Sequence, residues 1–352
     1  MKKNAETLGM ERYQEEPSKT LLDQRKTQKA IDFIRNYFIR QLSNKLNLNR
    51  VSAPLMVSSN SGLNDYLNGM EQPIRFRLRN QEEIAEIVQS LAKWKRDALH
   101  RYGFQKGEGL YAIMNAIRPD EQPDAIHSFY VDQWDWEMVI GNEDRNRSFL
   151  MRTVKKIYAA MLETSLCLQD FFPTLENFLP EEISFVHSED LLAAYPDRTA
   201  REREDLICKE NGAVFIMGIG APLKNGKAHD GRAFDYDDWI SRTEDGKQGL
   251  NGDILCWNPV LERSFELSSM GIRVNAESLQ RQMILKGIEE GSAGIYHNKI
   301  LQDRFPDSIG GGIGQSRLCM LLLQKQHIGE VQAGLWPAEM QADLADKGIE
   351  LL

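Results

Sequence analysis

The sequence predicts an α+β protein built on a mainly antiparallel sheet flanked by helices, and three observations support this. Strand-like segments are separated by turns and occasional helices, without a regular βαβ rhythm. Two long segments, 27–46 and 149–171, carry apolar residues at steps of three and four, the pattern of helices with one buried face. A glycine-rich stretch at 309–326 reads as a turn that feeds an apolar helix.

The elements follow in order. Ile31, Ile34, Phe38 and Leu42 mark the first helix, with Lys, Arg, Asp and Gln between them. A polar link at 47–50 leads to a strand at 51–55, which must end or lie at an edge at Pro54 because proline has no N–H. A polar loop with Gly62 and Asn64 carries Asp65. Residues 74–78 alternate as a strand, and 81–99 read as a helix with a basic face of Lys93, Lys95 and Arg96. Strands are expected at 111–117, 127–137, 183–186, 213–220, 252–258 and 263–268. Short helices are expected at 190–194, 199–211 and 276–285, with Gly212 as the stop of the second. A polar loop spans 224–248 and contains Asp235-Tyr236-Asp237-Asp238-Trp239. Residues 1–20 form a polar extension, and 21–352 read as a single domain with no interdomain linker.

Composition narrows the function. The 352 residues are 41% apolar and 27% charged, the balance of a soluble globular protein. A net charge of −9 argues against nonspecific nucleic-acid binding, whose phosphates it would repel. No stretch reaches the roughly 18 apolar residues of a membrane span, and the N-terminal residues lack the apolar core of a secretory signal. Cys167, Cys208, Cys256 and Cys319 have neither C-x-x-C spacing nor a His cluster, so they read as reduced thiols of a cytoplasmic protein. No glutamine-hydrolysing cysteine motif is visible.

Three segments carry chemistry. Gly310-Gly311-Gly312-Ile313-Gly314-Gln315-Ser316-Arg317 lets the backbone approach a base or phosphate, with Arg317 in the first helical turn; it is neither a Walker A loop nor a dinucleotide fingerprint. Ala116-Ile117-Arg118-Pro119-Asp120-Glu121 ends a strand in an arginine suited to a phosphate. A neighbouring acid there binds adenine or holds the arginine. Asp253 and Glu266, if on adjacent strands, can share a Mg²⁺ bound to ATP.

Together these segments resemble the catalytic core of class II aminoacyl-tRNA synthetases: a long helix and a strand ending in Pro54, then Arg118, then the glycine-rich segment with Arg317. The segments 89–96, 107–111, 130–137, 235–239, 250–260 and 266–274 narrow the likeness to the ammonia-dependent asparagine synthetases, the aspartate–ammonia ligases, from about residue 25 onward. The resemblance implies an aspartyl-tRNA-synthetase-like sheet without an anticodon-binding domain, and a homodimer formed through the first motif. It implies synthesis of L-asparagine from L-aspartate, ATP and ammonia through a β-aspartyl-adenylate, with AMP and pyrophosphate released. Two rivals are a catalytically inactive synthetase-like binding module and a tRNA synthetase without an anticodon domain.

The resemblance also implies roles. Arg118 holds the α-phosphate, and Arg317 the far phosphates or the adenine. Asp120, Gly312 and Gly314 complete the ATP site. Asp253 and Glu266 hold Mg²⁺, with Asp237 as a further ligand or a loop anchor. Asp135 takes the α-ammonium of aspartate, while Lys95 and Arg273 bind its carboxylates. Ser90, Gln133, Ser268 and Ser269 give neutral hydrogen bonds, although the two adjacent serines equally suit close strand packing. Gln133 counts with Asp65, Arg118 and Arg317 among the catalytic residues, and Asp65 receives the proton of ammonium. His127 is expected to be structural. Residues 281–307 have no evident tie to chemistry.

Overall fold

The computed structural model describes residues 21–65, 67, 71–80, 82–289 and 293–352, so the extension at 1–20 lies outside the described residues. The first helix, α1, runs Gln24–Leu46. Asp23 caps it by accepting the Lys26 N–H at 2.7 Å, and Asn47 closes it in the left-handed conformation. The second long helix, α3, is Arg147–Phe171, capped by Asn146. The two pack together, with the rings of Phe33 and Phe171 5.0 Å apart. Phe38 is fully buried and meets Trp134 at 4.7 Å. Burial of such a side chain contributes about 1.5–3 kcal/mol.

Both helices cover one face of an eight-stranded sheet. Its strands are β1 (Leu48–Arg50), β5 (Gly109–Ile117), β6 (Tyr130–Val139), β7 (Ser184–His187), β8 (Ala213–Met217), β9 (Asn251–Asn258), β10 (Arg263–Ile272) and β11 (Ser308–Gly314). The order across the sheet is β1-β5-β6-β11-β10-β9-β8-β7. Only the two edge pairs, β1 with β5 and β7 with β8, are parallel. A small antiparallel sheet, β2-β4-β3, is formed by β2 (Met56–Ser58), β3 (Arg75–Arg77) and β4 (Ile84–Ile87).

The remaining helices are α2 (Ala92–Arg101), α4 (Ser188–Ala194), α5 (Ala200–Asn211), α6 (Ala276–Leu285), α7 (Ile295–Leu301), α8 (Gln315–Leu322) and α9 (Ala338–Asp346). Gly212 ends α5 at φ +73°, as expected. No helix among the described residues is long and apolar enough to cross a membrane.

Three local expectations are corrected. Residues 51–55 are not a strand; the first strand is β1, just before them, and its ladder ends with the Val51 N–H donating to the Tyr111 carbonyl. The helix expected over 81–99 splits into β4 and α2, and its basic face is buried: Lys93, Lys95 and Arg96 are only 8, 1 and 2% exposed. Cations go inside there because Asp235 and Asp135 meet the two lysines, while Arg96 lies over the Phe305 ring. The glycine-rich turn is strand β11, at the middle of the sheet.

Candidate active site

The face of the sheet opposite α1 and α3 bears the functional residues, and strand alternation puts them there. In β6, Trp134, Trp136 and Met138 enter the core, so Gln133, Asp135 and Glu137 face the other way. In β10, Phe265, Leu267, Met270 and Ile272 are core residues. The β9–β10 register shifts between Glu266 and Ser268, and this bulge restores alternation out of phase. Glu266 before it and Ser269 and Arg273 after it therefore share the open face. One line of register partners crosses this face: Asp253, Ser269, Gly312 and Asp135.

A cavity of about 340 Å³ lies over this line. Asp65, Ser90, Lys95 and Arg118 line it from one side, with Gln133 and Asp135 from β6. Asp237, Glu266, Ser269 and Arg273 line the β10 side, and Gly312 of the strand between β6 and β10, with Gly314 and Arg317, completes the lining. Three expected residues are not in its wall. Asp120 is exposed and accepts the Gln72 N–H, while Glu121 lines the cavity instead. Ser268 is carried to the core side by the bulge, its hydroxyl buried without a partner among the described residues. Asp253 lies one strand beyond Ser269, bound to Arg232.

The glycines of β11 make space. A Cβ at Gly312 would lie 2.5 Å from Gln133 Oε1, and one at Gly311 would strike Met270. Neither glycine has a positive φ, so the reason for them is close approach rather than a turn. Lys95 Nζ bridges Asp135 Oδ1 at 2.5 Å and the Gly311 carbonyl at 2.7 Å. The other oxygen, Asp135 Oδ2, is buried with no partner among the described residues, as is Arg118 Nε. Ser90 Oγ accepts the Ala92 N–H at 3.0 Å, at the start of α2.

Arg273 is buried and doubly held. Glu137 accepts its Nε and Nη2, the latter at 2.7 Å, and Asp237 accepts Nη1. Asp237 also pairs with Arg232 at 3.5 Å, and Arg232 pairs with Asp253. The result is an alternating chain of charges, Glu137–Arg273–Asp237–Arg232–Asp253. Two arginines thus occupy the Asp237 carboxylate. Among the described residues no group of three His, Cys, Asp or Glu side chains is arranged to hold a metal ion.

Burial opposes the charge on Glu137, but Arg273 outweighs it and holds the carboxyl below its usual range. Burial pushes Asp253 up to about 7; Arg232 opposes this, and the like charge of Glu266 adds to it. Burial also raises Asp65 to about 6, with Lys93 and Arg118 pulling down and Asp235 pushing up. Arg317 donates to the Glu266 carbonyl at 3.0 Å and lies 3.8 Å from its carboxylate.

Sequence reasoning missed Arg232, Glu137 and Tyr236. Glu137 sits in the aromatic strand, where its period-two relation to Gln133 and Asp135 was a usable signal. Arg232 stands in a polar loop with no motif, and only the fold reveals its partners. His127 lines the cavity rim and bonds Asp124 at 2.9 Å.

A central antiparallel sheet, a glycine strand leading to an arginine-bearing helix, and a cavity of cations above them define a class II synthetase-type catalytic domain. Solved structures agree. Asparaginyl-tRNA synthetase of Entamoeba histolytica, in complex with asparaginyl-adenylate, matches with a TM-score of 0.61 at 16% identity, over 88% of this chain and 66% of that one. The Pyrococcus horikoshii asparaginyl-tRNA synthetase complexed with asparaginyl-adenylate matches with a TM-score of 0.61 at 15% identity, over 88% and 70%. The chain thus spans about two thirds of those proteins' length. Within that class the chain belongs to the aspartate–ammonia ligase family, whose profile matches residues 25–348. It is 51% identical over 335 residues to the aspartate–ammonia ligase of Parabacteroides distasonis, covering 95% of this chain and 97% of that protein. It is 52% identical over 335 residues to the one of Clostridium tetani, covering 95% and 96%.

Proposed function

We propose that this chain makes L-asparagine by activating the side-chain carboxylate of L-aspartate with ATP and capturing the β-aspartyl-adenylate with ammonia, releasing AMP and pyrophosphate. The supporting observation is the single cavity in which Lys95, Arg118, Arg273 and Arg317 converge with Asp65 and Asp135.

A carboxylate is a poor electrophile, and its attack on the α-phosphorus builds charge on phosphate oxygens. Fixed cations are the device that this step needs. Arg118 takes the α-phosphate and Arg317 the far phosphates or adenine, beside Gly312 and Gly314, with Gln133 a neutral donor near the reacting groups. The orphaned Asp135 Oδ2 suits the α-ammonium of aspartate, since a buried oxygen without a donor favours a cationic ligand. Lys95 and Arg273 take the carboxylates, and Ser90 and Ser269 add hydrogen bonds. Asp65 receives a proton from ammonium, and the ammonia so freed attacks the acyl carbon.

Asp253 and Glu266 are the carboxylates for Mg²⁺: burial, and after it the like charge of Glu266, raise the proton affinity of Asp253 against the pull of Arg232, and a divalent cation would relieve that conflict. The ion would supply neutralising charge for the triphosphate.

A homodimer is proposed through α1 and β1, the latter an edge strand whose Asn49 and Arg50 are exposed. Residues 21–352 are taken as one catalytic unit. Three buried thiols and a half-buried fourth, all free, fit a reducing cytoplasm. The net charge of −9 fits an enzyme that takes no nucleic acid.

The test is an incubation with ATP, Mg²⁺, aspartate and ammonium, assayed for asparagine and AMP. ADP in place of AMP would mean acyl-phosphate chemistry and overturn the adenylate route. No asparagine from folded protein would favour the inactive module.

A further inference from the structure

Side chains from three distant segments meet at Asp235, and the charges of Asp235 and Lys93 both act on Asp65. Lys93 leaves the first turn of α2, Asp235 comes from the loop after β8, and His297 from α7, within the stretch whose sequence carries no evident chemistry. Lys93 Nζ and His297 Nε2 lie on the same oxygen, Asp235 Oδ2, at 2.7 and 2.8 Å. His297 Nδ1 accepts the Gly294 N–H at 3.1 Å. The ring proton is therefore on Nε2 and is donated to Asp235. Asp235 is almost wholly buried, and its second oxygen has no partner among the described residues.

Burial opposes the charge of Asp235, but Lys93 and His297 outweigh it and hold the carboxyl down at about 2. Burial likewise opposes the charge on Lys93, and Asp235 and Asp65 outweigh it, so the lysine stays protonated. Other groups also act on Asp65. Arg118, at the end of β5, lowers its proton affinity, and Asp235 raises it. Tyr236, from the loop of Asp235, lines the same cavity as Asp65; burial first, and then the charge of Asp65, raise the tyrosine's own proton affinity. Next door, Asn64 donates to Glu86 of β4 at 3.0 Å and accepts the Asp65 N–H.

Lys93 thus makes its ion pair with Asp235 while remaining the strongest cationic influence on Asp65. Paired directly, it would block Asp65 from a second cation; absent, it would leave a buried carboxylate that holds its proton too tightly.

Resting on the reading of Asp65 as the acceptor of the ammonium proton, we propose that Lys93, Asp235 and His297 are positioning residues for amide formation: Asp235, oriented by His297, holds the Lys93 ammonium near Asp65 but not on it, so that Asp65 is both open to ammonium and able to release the proton it receives. The protons balance. Ammonium gives one to Asp65, and the nitrogen lone pair forms the C–N bond as the acyl–oxygen bond breaks and AMP departs with that electron pair. The further proton shed by the new amide leaves with AMP or to water, and Asp65 returns its own to solvent before the next turnover.

The test compares the pH dependence of asparagine formation at saturating ammonium with that of aspartate-dependent pyrophosphate exchange, which needs no ammonia. In Lys93→Gln the acidic limb of asparagine formation should move up by about one pH unit or more, the reach of one nearby charge, while the limb of exchange stays in place. Lys93→Arg should restore most of the shift. His297→Gln should also displace the limb, by less, and at its partly exposed position it carries the test should Lys93→Gln not fold. An unmoved limb of asparagine formation, or equal movement in both reactions, overturns the proposal. Asp65→Asn separates the two levels. If it slows both reactions equally, the Asp65 reading fails and this proposal with it. If it is selective while the limbs of the Lys93 and His297 variants stay put, only the positioning role fails.

Discussion

Glu137 and Gly310 are register partners across β6 and β11, and a Cβ at Gly310 would overlap Glu137 Oε2 and lie 2.7 Å from Arg273 Nη2. The glycine is therefore a condition for the buried Glu137–Arg273 pair, which also takes the Ser308 hydroxyl at 2.8 Å. Gly310→Ala should force the pair apart. Breaking a buried ion pair costs on the order of 3–5 kcal/mol. Chemical denaturation should show a loss of that size, and any folded fraction should have a raised KM for aspartate. Wild-type stability and KM would mean that the pair can shift without cost.

Arg118 offers a partly buried guanidinium to the cavity, with Nε unpartnered among the described residues. In the proposed role, Arg118→Ala removes a fixed cation from the α-phosphate. Loss of one such preorganised charge or donor costs about 10²–10³ in rate. Aspartate-dependent exchange of labelled pyrophosphate into ATP should fall by that factor. An unchanged rate refutes the assignment.

Asp65 must be ionised to accept a proton. Burial raises its carboxyl to about 6, so it is protonated below that pH and ionised above it. Amide formation at saturating ammonium should therefore decline as pH falls through about 6, whereas an ordinary aspartate would hold its charge to about 4. Asp65→Asn should slow amide formation more than pyrophosphate exchange at pH 7.5. Equal losses in the two assays would remove its ammonia-specific role.

Much of this arrangement was legible in the sequence because strand alternation is local. Trp134 and Trp136 alternate with Gln133, Asp135 and Glu137, so the same strand declares a core face and a site face. The long helices were legible for the same reason. The bulge at Leu267 was not: it reverses alternation by one residue, and it decides that Ser269 rather than Ser268 reaches the cavity. The glycines of β11 misled because a run of glycine reads locally as a turn, while here it answers side chains of Gln133, Glu137 and Met270 on neighbouring strands. The short β4 was absorbed into a helix because it is the middle strand of a small sheet, held by β3 just before it and by β2 much further back in the sequence. Lys93 and Lys95 look like a solvated face until Asp235 and Asp135, remote in sequence, are brought to them.

Glu266 lines the cavity, and its charge raises the proton affinity of Asp253 on the adjoining strand. Asp253 is already tied to Arg232, so Glu266 is the freer carboxylate of the two; it is half-buried, with Arg317 3.8 Å from it. If the pair holds Mg²⁺, Glu266→Gln loses a charged oxygen ligand and keeps the shape of the side chain. The Mg²⁺ concentration for half-maximal pyrophosphate exchange should rise on the order of 10-fold or more, the scale of losing one supporting group at a metal site. High Mg²⁺ should recover part of the rate. A lowered maximal rate with unchanged Mg²⁺ dependence would assign Glu266 to the positioning of Arg317 instead, because that contact is the other one its carboxylate makes.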